Sequence, residues 1–158
     1  MAFRNQLLES CCAFTAEITA DYTDDLVSFT LDCAGDELGN LDFTVSEPLE
    51  IAGIGGTIKA GKGSLVYQDT VLAVPLLAQG ELSPVSAPWI LLCALRGGYI
   101  ASAGTEGELL RVTVNDSFAG NTLLVDIWFD NLNMPQMAEV FWQGRRVLSI
   151  QIKDFQFV

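Results

Sequence analysis

Thr122-Leu123-Leu124-Val125-Asp126-Ile127-Trp128-Phe129, Gln136-Met137-Ala138-Glu139-Val140-Phe141-Trp142 and Arg146-Val147-Leu148-Ser149-Ile150-Gln151-Ile152-Lys153-Asp154-Phe155-Gln156-Phe157 are the stretches that decide the fold. Each is rich in β-branched and aromatic residues. The first two are separated by the loop Asp130 to Pro135, the last two by the tight turn Gln143-Gly144-Arg145. Three antiparallel strands in a row are expected.

Working upstream, Ala13 to Tyr22 alternates strictly. Phe14, Ala16, Ile18, Ala20 and Tyr22 share one face, and Thr15, Glu17, Thr19 and Asp21 share the other. After a turn at Thr23-Asp24-Asp25, strands are expected at Leu26–Cys33 and, past a turn near Gly35-Asp36, at Leu38–Ser46, ended by Glu47-Pro48. Ile54–Lys59 and Ser64–Gln68 read as a hairpin around Ala60-Gly61-Lys62-Gly63, followed by a short strand at Asp69–Val74. Further strands are expected at Tyr99–Ala103 and Glu108–Val114.

Two segments break the period of two. Ala2 to about Cys12 places Phe3, Leu7, Leu8 and Cys11 on one side of a short helix. Ser83-Pro84-Val85-Ser86-Ala87-Pro88-Trp89 opens a second helix to about Arg96, closed by Gly97-Gly98. Trp89, Leu92, Cys93 and Arg96 recur at helical spacing while Ile90, Leu91, Ala94 and Leu95 fill most of the remaining circumference, so this helix is expected to be buried or to lie over an apolar surface. The fold class that follows is α+β, mainly β. It is one domain over residues 1–158, a single large curved antiparallel sheet (a half-barrel of about ten strands) covered by an N-terminal and a mid-chain helix. Two helices do not fill a wide curved sheet, so a cavity between sheet and helices is expected.

Composition narrows the function. The 158 residues are 50% hydrophobic and only 18% charged, which argues against disorder. Such a balance fits either a lined apolar groove or a dense β-rich core with short loops. Net charge is −12, so nucleic acid is not an expected partner, nor is an anionic membrane reached through a basic patch. No stretch is long and apolar enough to span a bilayer. Met1-Ala2-Phe3-Arg4-Asn5-Gln6 lacks the apolar segment of a signal peptide, and Leu8-Glu9-Ser10-Cys11 only superficially resembles a lipoprotein cleavage box.

Histidine is absent, which removes the commonest general base and metal ligand. Cys11, Cys12, Cys33 and Cys93 fit no zinc or redox spacing; small buried hydrophobes or disulfides in an oxidising compartment are both open. Gly56-Thr57-Ile58-Lys59-Ala60-Gly61-Lys62 approaches a phosphate-binding loop, but Gly63 stands where serine or threonine is needed and strand, not helix, follows. Asp126, Trp128 and Asp130 share a strand face, while Asp24-Asp25 and Asp36-Glu37 sit at turns, where aspartate caps the chain locally. No calcium-loop spacing and no nucleophile elbow occur, so no catalytic residues, metal or cofactor are expected. Trp128 beside Phe129, and Phe141 beside Trp142, put large aromatics on both faces of the final meander.

This order of elements resembles the LolA/LppX-type lipoprotein-carrier fold. Trp128-Phe129-Asp130, Pro135, Ala138-Glu139, the Gly144 turn, Val147, Ile150 and Asp154-Phe155 are similar to that family's tryptophan-acidic, proline, glutamate, glycine, valine, phenylalanine ending. The likeness covers most of the chain as topology and about residues 122 to 157 as motif. It implies a noncatalytic, extracytoplasmic, cell-envelope protein, often lipid-anchored, that shields an acyl chain or other apolar group in its cavity. Relatives in spore-forming bacteria serve as envelope lipoproteins without a proven cargo. This chain departs in carrying no lipidation signal, so membrane association is expected only through an N-terminal anchor absent from it. The cavity candidates are Phe14, Ile18, Phe29, Trp89, Ile90, Leu92 and Cys93. The alternative is an envelope scaffold that binds a protein partner through an exposed strand edge or an exposed Trp128 or Trp142.

Overall fold

The computed structural model describes residues 2–22, 25–59, 62–67, 70–74, 77–78, 81–82, 84–118 and 121–158. Thr23-Asp24, Ala60-Gly61, Gln68-Asp69 and Ser83, each assigned above to a turn, strand or helix end, lie outside the described residues.

Helix α1 (Ala2–Glu9) leads into β1 (Cys12–Tyr22), β2 (Asp25–Gly35), β3 (Leu41–Glu47), β4 (Gly55–Lys59), β5 (Lys62–Tyr67) and β6 (Thr70–Val74). A small ribbon, β7 (Leu77–Ala78) and β8 (Glu81–Leu82), precedes helix α2 (Ala87–Gly97). Then come β9 (Tyr99–Glu106), β10 (Leu109–Phe118), β11 (Asn121–Phe129), β12 (Pro135–Trp142) and β13 (Arg145–Phe157). Eleven strands form one open sheet in the order β6-β5-β4-β3-β2-β1-β13-β12-β11-β10-β9. Every described pairing is antiparallel, and the first and last strands meet in its middle, Ile18 opposite Ile150.

The sheet is one-sided, as the alternation of β1 requires. Phe14, Ala16, Ile18 and Ala20 are buried, and the pattern repeats in Leu41, Phe43 and Val45 of β3 and in Leu148, Ile150 and Ile152 of β13. The outer face is polar and bonded across strands: Thr57 donates to Asp42 at 2.8 Å, Thr15 to Asp32 at 3.2 Å, and Lys153 pairs with Glu17. Burying an isoleucine such as Ile18 or Ile150 contributes about 1.5–3 kcal/mol. The glycine-rich β4 is explained by Phe43: a Cβ on Gly56 would sit 2.2 Å from Cζ of that ring.

Asp25 and Lys62-Gly63, read as turn, open strands β2 and β5, the β7–β8 ribbon is an addition, and other features depart from the sequence reading as well. Helix α1 stops at Glu9, because Cys12 is taken into the ladder between Phe157 and Gly35. Strand β3 begins at Leu41 rather than Leu38. The Asp36 carboxylate accepts from the amides of Leu38 and Asn40 at 2.9 and 2.8 Å and holds those residues in a turn. Asp130 lies beyond β11, where its carboxylate caps the next loop through the amides of Leu132 and Met134. Trp128 is buried at 6% although it stands on the outer face: the Arg111 guanidinium lies 5.3 Å above its ring, and its indole N–H donates to Glu106 at 3.2 Å. Beside it Asp126, 2% exposed, accepts from Arg111 and Thr113, each at 2.6 Å.

A bulge in β13 sets the aromatic end of the core. Ala13 pairs with Gln156 and Thr15 with Lys153, so β13 carries one extra residue there, and Asp154 sits at φ 54. The slip aims Phe155 inward with Ile152. Phe155 then stacks on Phe14 (5.4 Å, 23°) and meets Phe3 of α1 at 5.7 Å. Phe3 also touches Phe129 and Phe157, at 5.7 and 5.5 Å.

Candidate functional site

Both helices lie on the inner face and hold each other by their ends. Arg4 of α1 donates through Nε to the carbonyl of Leu95 (2.8 Å) and through Nη2 to those of Ala94 (3.0 Å) and Gly98 (2.9 Å). These carbonyls cluster at the C-terminal end of α2, where that of Ala94 also accepts from the Gly98 N–H at 3.3 Å. In return Arg96 Nη1 donates to the carbonyl of Leu7 at 2.9 Å, near the end of α1. A cation at each helix C-terminus also complements the helix dipole.

Gly98 sets how closely α2 approaches the sheet. A Cβ there would lie 2.2 Å from Val114 Cγ1, so only glycine permits this contact.

An apolar cavity of about 310 Å³ lies where these parts meet. Its floor is the inner face of three strands: Leu110, Val112 and Val114 of β10, Ile127 and Phe129 of β11, and Ile100 and Ala103 of β9. The register makes this surface continuous, with Val112 opposite both Ile127 and Ala103. Its roof is Ala94 and Leu95 of α2 with Ala2, Phe3 and Arg4 of α1, and Asn133 stands at the rim. Ala103 and Asn133 are exposed and Leu110 is 38% exposed, so the cavity opens to solvent on that side.

None of the seven residues named from the sequence lines this cavity. Ile18, Ile90 and Leu92 are at most 2% exposed and fill the space between α2 and the middle of the sheet. Leu92 packs over Gly35 of β2, Phe14 is stacked on Phe155, and Phe29 is half-buried opposite Ile18. Trp89 and Cys93 are half-buried on α2. Burial, reinforced by the negative charge of Asp116, pushes the Cys93 thiol up to about 12. All four cysteines are free thiols. Among the described residues no group of histidine, cysteine or carboxylate side chains is arranged to hold a metal ion, and no helix is long and apolar enough to cross a membrane.

Comparison with protein-family models and with curated protein sequences finds no match. Solved structures do match over the whole length. A LolA superfamily protein from Nitrosomonas europaea superposes with a TM-score of 0.54 at 7% identity, covering 99% of this chain and 92% of that one. A putative outer membrane lipoprotein-sorting protein domain from Vibrio parahaemolyticus gives 0.53 at 11% identity, over 98% and 88%. A DUF1329 family protein from Desulfovibrio piger gives 0.55 at 6% identity, over 99% and 92%. The chain has the LolA-like fold.

Within this fold the cavity was hidden from the sequence by two non-local facts. Alternation in β10 marks an inner face, but not which helix end covers it. Arg4 and Gly98, 94 residues apart in the Arg4–Gly98 bond, carry no periodic signal.

Proposed function

We propose that this LolA-like protein is a noncatalytic, extracytoplasmic envelope protein that binds a single apolar chain, such as a lipid acyl group, in the cavity beneath α1 and the end of α2. The observation that carries this reading is the cavity itself: its strand floor is wholly hydrophobic and it opens to solvent beside Ala103. Its volume of about 310 Å³ is near the lower end of ligand-binding pockets, ~300–1,000 Å³. It is roughly twice the ~150 Å³ cavity that takes up one benzene. One chain or ring fits; a multi-chain lipid does not fit entirely. The names of the structural neighbours support the envelope location. In this reading Leu95, Ile100, Leu110 and Val112 touch the chain, while Phe14, Ile18, Ile90 and Leu92 belong to the neighbouring core and Phe29, Trp89 and Cys93 stand half-buried outside the cavity.

The test is uptake of an environment-sensitive apolar dye, displaced by lipids extracted from bacterial envelopes, in the native protein and in Ala103→Trp. Ala103 is exposed and lines the cavity, so the indole fills it without entering the core. Uptake by the native protein and its loss in the variant, at unchanged thermal midpoint, is the expected result. Equal uptake by both proteins sinks the proposal.

A second reading, a scaffold for a protein partner, rests on β9. This strand is an edge of the sheet, is exposed along almost its whole length, and carries no charge from Tyr99 to Thr105. Edges of that kind accept an added strand. Ser102→Lys puts a charge on this exposed edge and abolishes such pairing while leaving dye uptake intact.

A further inference from the structure

We propose that the chain held in this cavity ends in a carboxylate, and that Arg4 is the residue that selects it; this rests on the apolar-cargo reading. Arg4 is the single ionic side chain among the cavity's lining residues, and no carboxylate is among them. The only other polar side chain there is the rim amide of Asn133. A guanidinium offers five N–H donors. Nε and Nη2 of Arg4 are spent on the carbonyls of Leu95, Ala94 and Gly98, while Nη1 has no partner among the described residues. Its two donors therefore remain available beside an otherwise apolar space, and the bonds to α2 hold the guanidinium in place in advance. Against the chain's overall negative charge the cavity presents this one fixed cation, and the head group that a local cation complements is an anion.

Carboxylate oxygens accept from guanidinium in strong, charge-assisted bonds. The small volume restricts the tail to one chain. The ligand class is thus a single-chain aliphatic carboxylic acid in its ionised form, rather than a neutral ester, an alcohol or an amine of the same length.

The experiment compares decanoate, decan-1-ol and decylamine, which share one tail, as competitors for the bound dye at neutral pH on the full chain. Decanoate is expected to bind at least ~10-fold more tightly than decan-1-ol, with decylamine weakest. Because Arg4 also braces α2, the partner variant is Ala103→Glu, which places a carboxylate at the exposed side of the cavity and leaves the brace intact. It is expected to invert the order and favour decylamine. Equal affinity for acid and alcohol in the native protein overturns the assignment of Arg4 while the apolar cavity stands. Failure of all three to displace the dye, or of the dye to bind, overturns the cavity reading itself.

Discussion

Arg96 Nη1 lies 2.9 Å from the carbonyl oxygen of Leu7, and with it one helix closes the end of the other. Helix α1 has only eight residues, too few to persist alone in water. Its hold on the sheet comes from Leu7, 1% exposed, from Phe3 in the aromatic cluster, and from the two arginine braces. Arg96→Ala is therefore expected to cost about 1–2 kcal/mol, the loss of one charge-assisted bond at a partly buried site. Hydrogen exchange at the amides of α1 should rise well before that of β1 and β13. Unchanged protection in α1 would show that the aromatic contacts suffice.

Gly98→Ala tests the close approach of α2 to β10. The added Cβ meets Val114 Cγ1 at 2.2 Å and the Ala94 carbonyl oxygen at 3.2 Å, so the helix end must move. A loss of about 1–3 kcal/mol is expected from overpacking, with dye affinity changed because the cavity's roof shifts. Gly97→Ala is the control: nothing lies within 4 Å of a Cβ there.

The outer-face cluster of Trp128, Arg111 and Asp126 makes a spectroscopic prediction. The Asp126 carboxylate holds the Arg111 pKa above its ordinary value, through the hydrogen bond first and the ion pair second. Arg111→Leu removes the cation over the indole and leaves a buried carboxylate with Thr113 as its remaining side-chain partner. Trp128 fluorescence should shift and the thermal midpoint should fall, whereas Arg146→Leu, an exposed pair with Glu139, should change neither appreciably.

The thiols set a pH dependence. Burial pushes Cys12 up to about 11 and Cys93 to about 12, and pushes the buried Cys33 up as well. Cys11 is raised chiefly by its hydrogen bond to Glu37, at 3.2 Å. At pH 8 only about one Cys12 in a thousand is thiolate, so Cys11 alone should react with a thiol reagent until the protein unfolds. Glu37→Ala should speed that reaction. A group whose folded pKa is raised keeps the fold more protonated than the unfolded chain. Its stabilisation is complete below the unfolded value of 9.0 and is lost as pH rises towards 11. Denaturant midpoints should thus fall progressively above pH 9, and a flat profile there contradicts the burial of these thiols.

Much of the fold was legible because a one-sided sheet writes its burial into every second residue. Phe14 to Ala20 and Leu41 to Val45 announce both the strand and its inner face. The asymmetry of α2 was not legible, since a helix apolar nearly all round does not say which side faces the sheet. The bulge at Asp154 was also hidden: a non-glycine residue at positive φ has no sequence signature, yet it decides that Phe155 faces Phe14. The candidate site suffered most. The sequence supported a cavity between sheet and helices, but its position depends on Arg4, Gly98 and Val114, which the fold brings together from three distant stretches.

The pairing of β1 with β13 has a kinetic consequence. Each wing of the sheet, β2 to β6 on one side and β9 to β12 on the other, is built from neighbours in sequence and can form as a local meander. The seam between the wings joins Cys12 to Phe157, almost the whole length of the chain. A nascent polypeptide therefore cannot complete its core until its final strand has emerged. Both wings wait with unpaired edges, and closure of the seam is expected to limit the folding rate.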